Sequence, residues 1–438
     1  MSDVNNFVDE QFILALDIGT TNIRAHVYNK FASIVGEASE SIEIISNEPG
    51  CAEIDPDSLW NSVLKVCHNS VKRMVVMRLL WILQNYIDIR KIAFDGKALY
   101  GTMDTWLVWK FTGGAVHATD PSNASTSGLF DPFELKWSPI IFSLFAIPES
   151  ILPEVRDTNG DFGSTLPSLF DISIPIKTVI ADQPAATFGE CCFSIGDLKC
   201  TLGTGSFINL NTGHSPHSSF KGLYPVIGWK LRGEKAVYLV EGSAFDTGTA
   251  INWAQKIHLF NDVAESSAIA ELAQNSGGVY FVPAFSGLQA PFNDPNAISS
   301  FFGISSSVEK PQLLRALLES IAFRAKQIYE IMIEECDVPP KNFRVNGGVA
   351  SNDFIVQLIA DLTECEIQRS NHREMSSLGA AFLAGLSCGF WKDTKELEAL
   401  LQYQTIFKPR NNWVSKYKNI VKNWERAVKR TMHWFPEN

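Results

Sequence analysis

The run Phe12-Ile13-Leu14-Ala15-Leu16-Asp17-Ile18-Gly19-Thr20-Thr21-Asn22-Ile23-Arg24 decides the fold. Its five consecutive apolar residues, Phe12 to Leu16, predict a central strand covered on both faces, which delivers Asp17 to its end just before a Gly-Thr-Thr turn. Such a place can hold a metal and a phosphate. Gly19 lets the backbone approach a ligand closely, Thr20, Thr21 and Asn22 add short donors, and Asp17 can bind Mg²⁺ directly or through water. A buried strand running into an Asp-bearing β-turn gives the same letters, so this stretch alone leaves both readings open.

Downstream, Arg24 to Tyr28 alternates like a second strand and Ile34 to Ile45 like a third, which predicts an antiparallel meander with tight connections. Asp55-Pro56-Asp57 then opens a helix with apolar positions at Leu59, Trp60, Val63, Leu64, Val66 and Cys67. After that helix an α/β domain is expected to return to its sheet. Instead Lys72 and Arg73 lead through Met74-Val75-Val76-Met77 straight into Arg78-Leu79-Leu80-Trp81-Ile82-Leu83, which reads as another helix.

Thr102 to Phe111 reads as a helix or buried segment with Trp106 and Trp109 on one side, and Asp120 to Phe130 as a polar loop. Ile174 to Ala181 is again a mostly apolar strand. It delivers Asp182 and Gln183 before Pro184 opens a helix, with Asp182 as the expected N-cap. Leu198 to Thr212 reads as a hairpin with Gly203-Thr204-Gly205 at its bend, a second loop of the kind at Gly19. Two such elements, roughly 180 residues apart, suggest a duplicated fold whose halves face a cleft; two ordinary hairpins are the alternative.

Thr247-Gly248 leads into a helix carrying Asn252 and Trp253, and Pro311 to about Glu335 is a long amphipathic helix. Phe343-Arg344-Val345-Asn346 ends at Gly347-Gly348, with Asn352 before an apolar helix; the glycine pair suits either nucleotide contact or a tight packed turn. Asn412 to Trp434 places Trp413, Tyr417, Val421, Trp424 and Val428 at helical spacing, as expected for a helix packed on the body.

A chain of 438 residues is long enough for two or three domains. With 45% hydrophobic and 19% charged residues and a formal charge of -11, the composition excludes disorder and a general nucleic-acid-binding surface. The eight cysteines form no CxxC pair, which suits thiols in a reducing compartment. Met1 to Gln11 lacks the pattern of a signal peptide and no apolar run reaches bilayer length, so no membrane span and a cytoplasmic location are expected.

Six stretches occur together, in order, as in one known family. They are Leu16-Asp17-Ile18-Gly19-Thr20-Thr21, Ala181-Asp182-Gln183, Leu202-Gly203-Thr204-Gly205-Ser206-Phe207, Val282 to Pro291, Asn346-Gly347-Gly348-Val349-Ala350-Ser351-Asn352 and Ser377 to Gly385. On these residues the chain resembles the FGGY carbohydrate kinases, the glycerol kinases most of all. The resemblance implies an α/β chain of two ribonuclease H-like domains of the actin and hexokinase type around an ATP cleft, divided as 1–190 and 191–438. It also implies ATP and Mg²⁺ as cofactors, ATP-dependent phosphorylation of a polyol hydroxyl with glycerol as first candidate, a small-molecule polyol as partner, and a homo-oligomer as one expectation.

Carried over by matching motif, Thr20, Thr21, Asn22 and Arg24 meet the phosphate side of the nucleotide, with Asp17 toward Mg²⁺. Thr204 holds phosphate, while Gly248, Asn252, Gly348 and Asn352 line the nucleoside end. Asp182 is the implied catalytic base, with Gln183 and Phe207 beside the polyol. Asn22 and Asn252 depart from the Ser and Gln usual in glycerol kinases. A larger departure lies between about Lys72 and Arg78, where family members carry several dozen more residues, including a strand with a Gln-Arg-type substrate motif. Loss of that strand is expected to leave unpaired backbone groups and a gap in the first domain's core, and with them a poor or catalytically silent nucleotide-binding member.

Overall fold

The computed structural model describes residues 11–19, 22–41 and 75–435. Thr20, Thr21 and the helix expected after Asp55 lie outside the described residues, as does the side chain of Asn22. Two compact units are present. The first comprises residues 1–191, 226–238 and 374–401, and the second 192–225, 239–373 and 402–438. The break after Cys191 falls beside the expected division at 190/191, but a single cut misses the two later segments that return to the first unit.

The first unit opens with the expected meander, β1 (Ile13–Ile18), β2 (Asn22–Tyr28) and β3 (Ile34–Ser41), paired antiparallel in that order. Its register sets Asp17 directly opposite Arg24. The anomalous stretch after Lys72 is a helix, Val75–Asn85, as its apolar run predicts. Helix Met103–Phe111 buries Thr105, Leu107, Val108 and Phe111 and leaves Trp106 half-buried and Trp109 exposed.

Three local expectations are corrected by tertiary context. The supposed polar loop from Asp120 contains a short helix, Pro121–Ser125, because the Asp120 carboxylate accepts the Asn123 N–H at 2.9 Å and acts as its N-cap. Asp182 is the first residue of helix Asp182–Gly189 rather than its cap, which is Ala181; Asp182 Oδ1 instead accepts the N–H of Gln183 at 2.8 Å. Ile174 to Ala181, expected as a strand, joins no ladder beyond a single bridge from Pro175 to Ser164. One of its edges is bonded to the 158–165 loop, through Ile176 N–H to Gly163 O and Val179 N–H to Thr158 O. A strand is defined by its partners, and among the described residues none pairs with its other edge.

The second unit is built on a sheet in which Val237–Ala244, Ser206–Gly213, Leu198–Leu202, Phe343–Asn346, Ile367–Ser370 and Tyr403–Phe407 follow one another. Leu198–Leu202 and Ser206–Gly213 form the expected antiparallel hairpin, and Leu198–Leu202 pairs parallel with Phe343–Asn346. Helix Lys310–Cys336 buries Leu314, Leu317, Leu318, Ile321 and Ile328 in the unit's main core. The closing helix, Trp413–Thr431, packs on the same core through Tyr417, Val421, Trp424 and Val428, and Trp424 Nε1 donates to Phe281 O at 2.7 Å. Among the described residues no helix is long and apolar enough to cross a membrane.

Candidate active site

The first unit gathers three carboxylates and one guanidinium. Arg24 reaches Asp17 at 3.8 Å and Glu374 at 3.3 Å, and Asp182 lies near enough to act on the charge of Asp17. Burial, then the negative charge of Asp182, pushes the Asp17 carboxyl up to about 7, against the pull of Arg24. A carboxylate held this way carries its negative charge at a cost. It favours a cation that balances it.

This shift has a sign that can be measured. Between the ordinary value of 3.8 and about 7, the folded protein keeps a proton on Asp17 that the unfolded chain has lost, so this group makes stability fall as pH rises through that window. In chelator-containing buffer, the melting temperature is expected to decline between about pH 4 and about pH 7 more steeply for this chain than for Asp17→Asn. Parallel profiles for the two proteins would refute the assignment.

Backbone contacts fix where these groups sit. Helix Asp182–Gly189 crosses helix Met375–Cys388 so closely that a Cβ on Gly379 would lie 1.8 Å from Ala185 O, and one on Gly189 2.3 Å from Met375 O. Only glycine on both sides permits this crossing, which holds Asp182 and Glu374 at the starts of their two helices. The Ser377–Gly385 motif is thus accounted for by packing. Ser377, buried in the same helix, bonds His26 Nδ1 at 2.7 Å and the Tyr28 hydroxyl at 2.6 Å, tying the helix to β2.

A second tether reaches Asp182 from residues the sequence reading passed over. Buried Asp120 accepts from Ser122 Oγ at 2.8 Å and from Thr158 Oγ1 at 2.8 Å, and Ser122 Oγ in turn accepts the Ala181 N–H at 2.8 Å. Burial raises the Asp120 carboxyl to about 6 despite these bonds. Its signal in the sequence was the Asp-Pro-Ser-Asn string, a capping pattern. Asp182 is exposed and Gln183, beside it, is half-buried.

In the second unit the Gly203-Thr204-Gly205 bend is locked onto the start of helix Gly248–Lys256. Gly248 N–H donates to Thr204 O at 2.8 Å, and Thr247 N–H donates to the same carbonyl at 3.2 Å. A Cβ on Gly248 would lie 2.6 Å from Gly203 O, so Gly248 is required for this contact and its N–H is already used. Asn252 is exposed on that helix, and Phe207 lies against Phe245 with ring centroids 6.4 Å apart.

The Gly347-Gly348 pair divides into two jobs. Gly347 adopts φ 93°, and a Cβ there would meet Leu202 O at 2.5 Å, so it is the tight packed turn. Gly348 is exposed, and a Cβ there would meet nothing within 4 Å, which leaves bare backbone open to a ligand. Asn352 is buried and spoken for: it N-caps helix Asp353–Thr363 by accepting from Ile355 N–H at 3.1 Å, and its amide donates to Ser266 Oγ at 3.0 Å. It can shape the neighbouring turn, but both ends of its amide already have partners.

A cavity of about 580 Å³ opens in the first unit. Every residue of β1 lines it, and so does every residue from Ile174 to Asp182, with Met103, Leu107 and Phe111 from the Met103–Phe111 helix.

Comparison with known proteins gives the context. The family-wide description "FGGY family of carbohydrate kinases, N-terminal domain" matches residues 12–77 and 70–189, two matches that share residues 70–77, and the corresponding C-terminal domain matches 198–388. Glycerol kinase 5 of Danio rerio is 42% identical over 516 aligned positions, covering 97% of each chain. Because this chain has 438 residues, at least 78 of those 516 positions hold residues of the relative with no counterpart here. Glycerol kinase 2 of Thermotoga maritima is 32% identical over 97% of this chain and 99% of its own. Among solved structures, Plasmodium falciparum glycerol kinase with ADP is similar with a TM-score of 0.87 and 28% identity, over 96% of this chain and 98% of that one.

Proposed function

This chain belongs to the FGGY family of carbohydrate kinases, and from that premise we propose that it binds MgATP and directs the γ-phosphate to a polyol hydroxyl, glycerol being the first candidate. The observation that carries the reading is the grouping of Asp17, Asp182, Glu374 and Arg24 in the first unit, with the Arg24 guanidinium 3.8 Å from Asp17 and 3.3 Å from Glu374.

In this reading Asp182 accepts the proton of the attacking hydroxyl, and its bond from Gln183 N–H holds the carboxylate in place. Gln183 and Phe207 flank the polyol. Thr20, Thr21, Asn22, Arg24 and Thr204 serve the phosphates. The open backbone of Gly348 and the exposed Asn252 serve the nucleoside end together with Gly248 and Asn352, which also position those loops.

The donor set suits Mg²⁺. Among the described residues no group of three His, Cys, Asp or Glu forms a ready-made metal cage. Mg²⁺ at kinase sites takes one or two carboxylates, with water and substrate phosphates completing its shell. Asp17 would hold it, and the ion's chemistry there is neutralising charge on the transferring phosphate.

The cavity between β1 and Ile174–Asp182 favours a second reading for this chain as it stands, a nucleotide-binding member impaired in transfer. Misplacing a reacting group by about 1 Å costs on the order of 10²-fold in rate, and the cavity leaves each of these segments without packing on one side. Glycerol-dependent ADP formation by the purified chain is therefore expected at least about 10²-fold below that of Danio rerio glycerol kinase 5, with MgATP binding retained. A comparable rate would remove the impaired reading; no MgATP binding would remove both.

A further inference from the structure

The cavity forms a slot between two chain segments. Its two long walls are continuous chain segments: all six residues of β1 and all nine from Ile174 to Asp182. Both walls also carry backbone groups with no backbone partner among the described residues. Among the described residues β1 pairs only with β2, on one side, and the N–H groups of Lys177, Thr178 and Ile180 donate to no backbone carbonyl. Most of the lining is apolar, with Ile13, Leu14, Leu16, Ile174, Ile176 and Val179, and Lys177 and Thr178 interrupt it on one wall. Both walls run toward the same end, where Asp17 and Asp182 influence each other.

A small apolar molecule satisfies the lining but leaves two rows of backbone groups unpaired. An extended polypeptide satisfies both, because one strand inserted between two edges pairs with each while alternate side chains fill the space on either face. A strand matching six residues of β1 is about 20 Å long. The occupant's source is indicated by the break in the family match at residues 70–77 and by the 78 or more aligned positions that relatives have and this chain lacks.

We infer that the slot is a binding site for an extended, apolar β-strand supplied by another polypeptide, the first candidate being the segment that relatives carry and this chain lacks. The strand enters between β1 and Ile174–Asp182 and completes the first unit without a covalent connection. The inference concerns binding by the first unit and holds whether or not the chain transfers phosphate.

The test uses overlapping synthetic peptides that tile the part of Danio rerio glycerol kinase 5 with no counterpart in this chain, added to the full-length protein. One window is expected to raise the melting temperature saturably and to slow amide exchange at Lys177, Thr178 and Ile180 and along β1, leaving the second unit unchanged. A scrambled peptide of the same composition should do neither. Leu14 lines the slot and is 40% exposed, so Leu14→Lys is expected to leave the free protein's melting temperature nearly unchanged and to abolish the peptide's effect. The inference is overturned if no window protects those amides, if the scrambled peptide protects them equally, or if they are already slow in the free protein. Uptake of anilinonaphthalene sulfonate that no peptide displaces would overturn it too, by assigning the slot to small apolar ligands.

Discussion

Replacing Asp182 by asparagine is expected to reduce phosphoryl transfer to glycerol by about 10²- to 10⁴-fold, the usual worth of a positioned general base. The substitution preserves size and can still accept the Gln183 N–H through its amide oxygen, so helix Asp182–Gly189 and the unit around it should remain folded. What is lost is a group able to take a proton. Single-turnover assays suit the low rate expected of this chain, and calorimetry on the same samples should find MgATP still bound. A second readout separates a charge effect from simple disruption. The charge of Asp182 helps hold the Asp17 carboxyl at about 7, so Asp182→Asn should move the Asp17-linked fall in stability to lower pH. An unchanged transfer rate would remove Asp182 from the proposed chemistry.

The largest expected effect on stability comes from Gly379→Ala. Two physical effects oppose each other here and their sizes decide the sign. Gly379 lies inside helix Met375–Cys388, where alanine is favoured over glycine by about 1 kcal/mol on intrinsic propensity. Against this, the added methyl would sit 1.8 Å from Ala185 O, a backbone atom that cannot rotate away. The two helices would have to separate, and overpacking of this kind costs on the order of 3 kcal/mol. Destabilisation is therefore expected, and denaturant unfolding would measure it. Gly348→Ala is the matched control: the new methyl meets nothing within 4 Å, so stability should hardly change, while weaker MgATP binding would support open backbone contact at that position. Stabilisation by Gly379→Ala would mean that the crossing is looser than the described geometry.

Much of the site was legible because short motifs carry local geometry with them. Gly203-Thr204-Gly205 made its hairpin, and Gly347-Gly348 made its turn between strand and helix. Asp17 was placed at a strand end by the apolar run before it. Other residues sat in those same motifs with duties that the letters did not disclose. Asn352, read as a nucleoside contact, is also a buried helix cap. Gly248 was read likewise and is the contact that seats a helix on the hairpin bend.

By itself the sequence determined the meander of β1 to β3, the long buried helix from Lys310, the amphipathic closing helix and the break near residue 72, since periodicity, capping and missing letters are local properties. Only the tertiary structure decided that Ile174 to Ala181 is not a strand, that Asp120 anchors the approach to Asp182, and that Gly379 is a helix crossing. Each depends on what lies opposite in space. A ladder needs a neighbour, a buried carboxylate needs donors, and a close helix crossing needs a second backbone. The Phe12–Arg24 run fixed one wall of the cavity, but only folding revealed that Ile174–Asp182 forms the other, because a wall distant in sequence is set by what packs beside it.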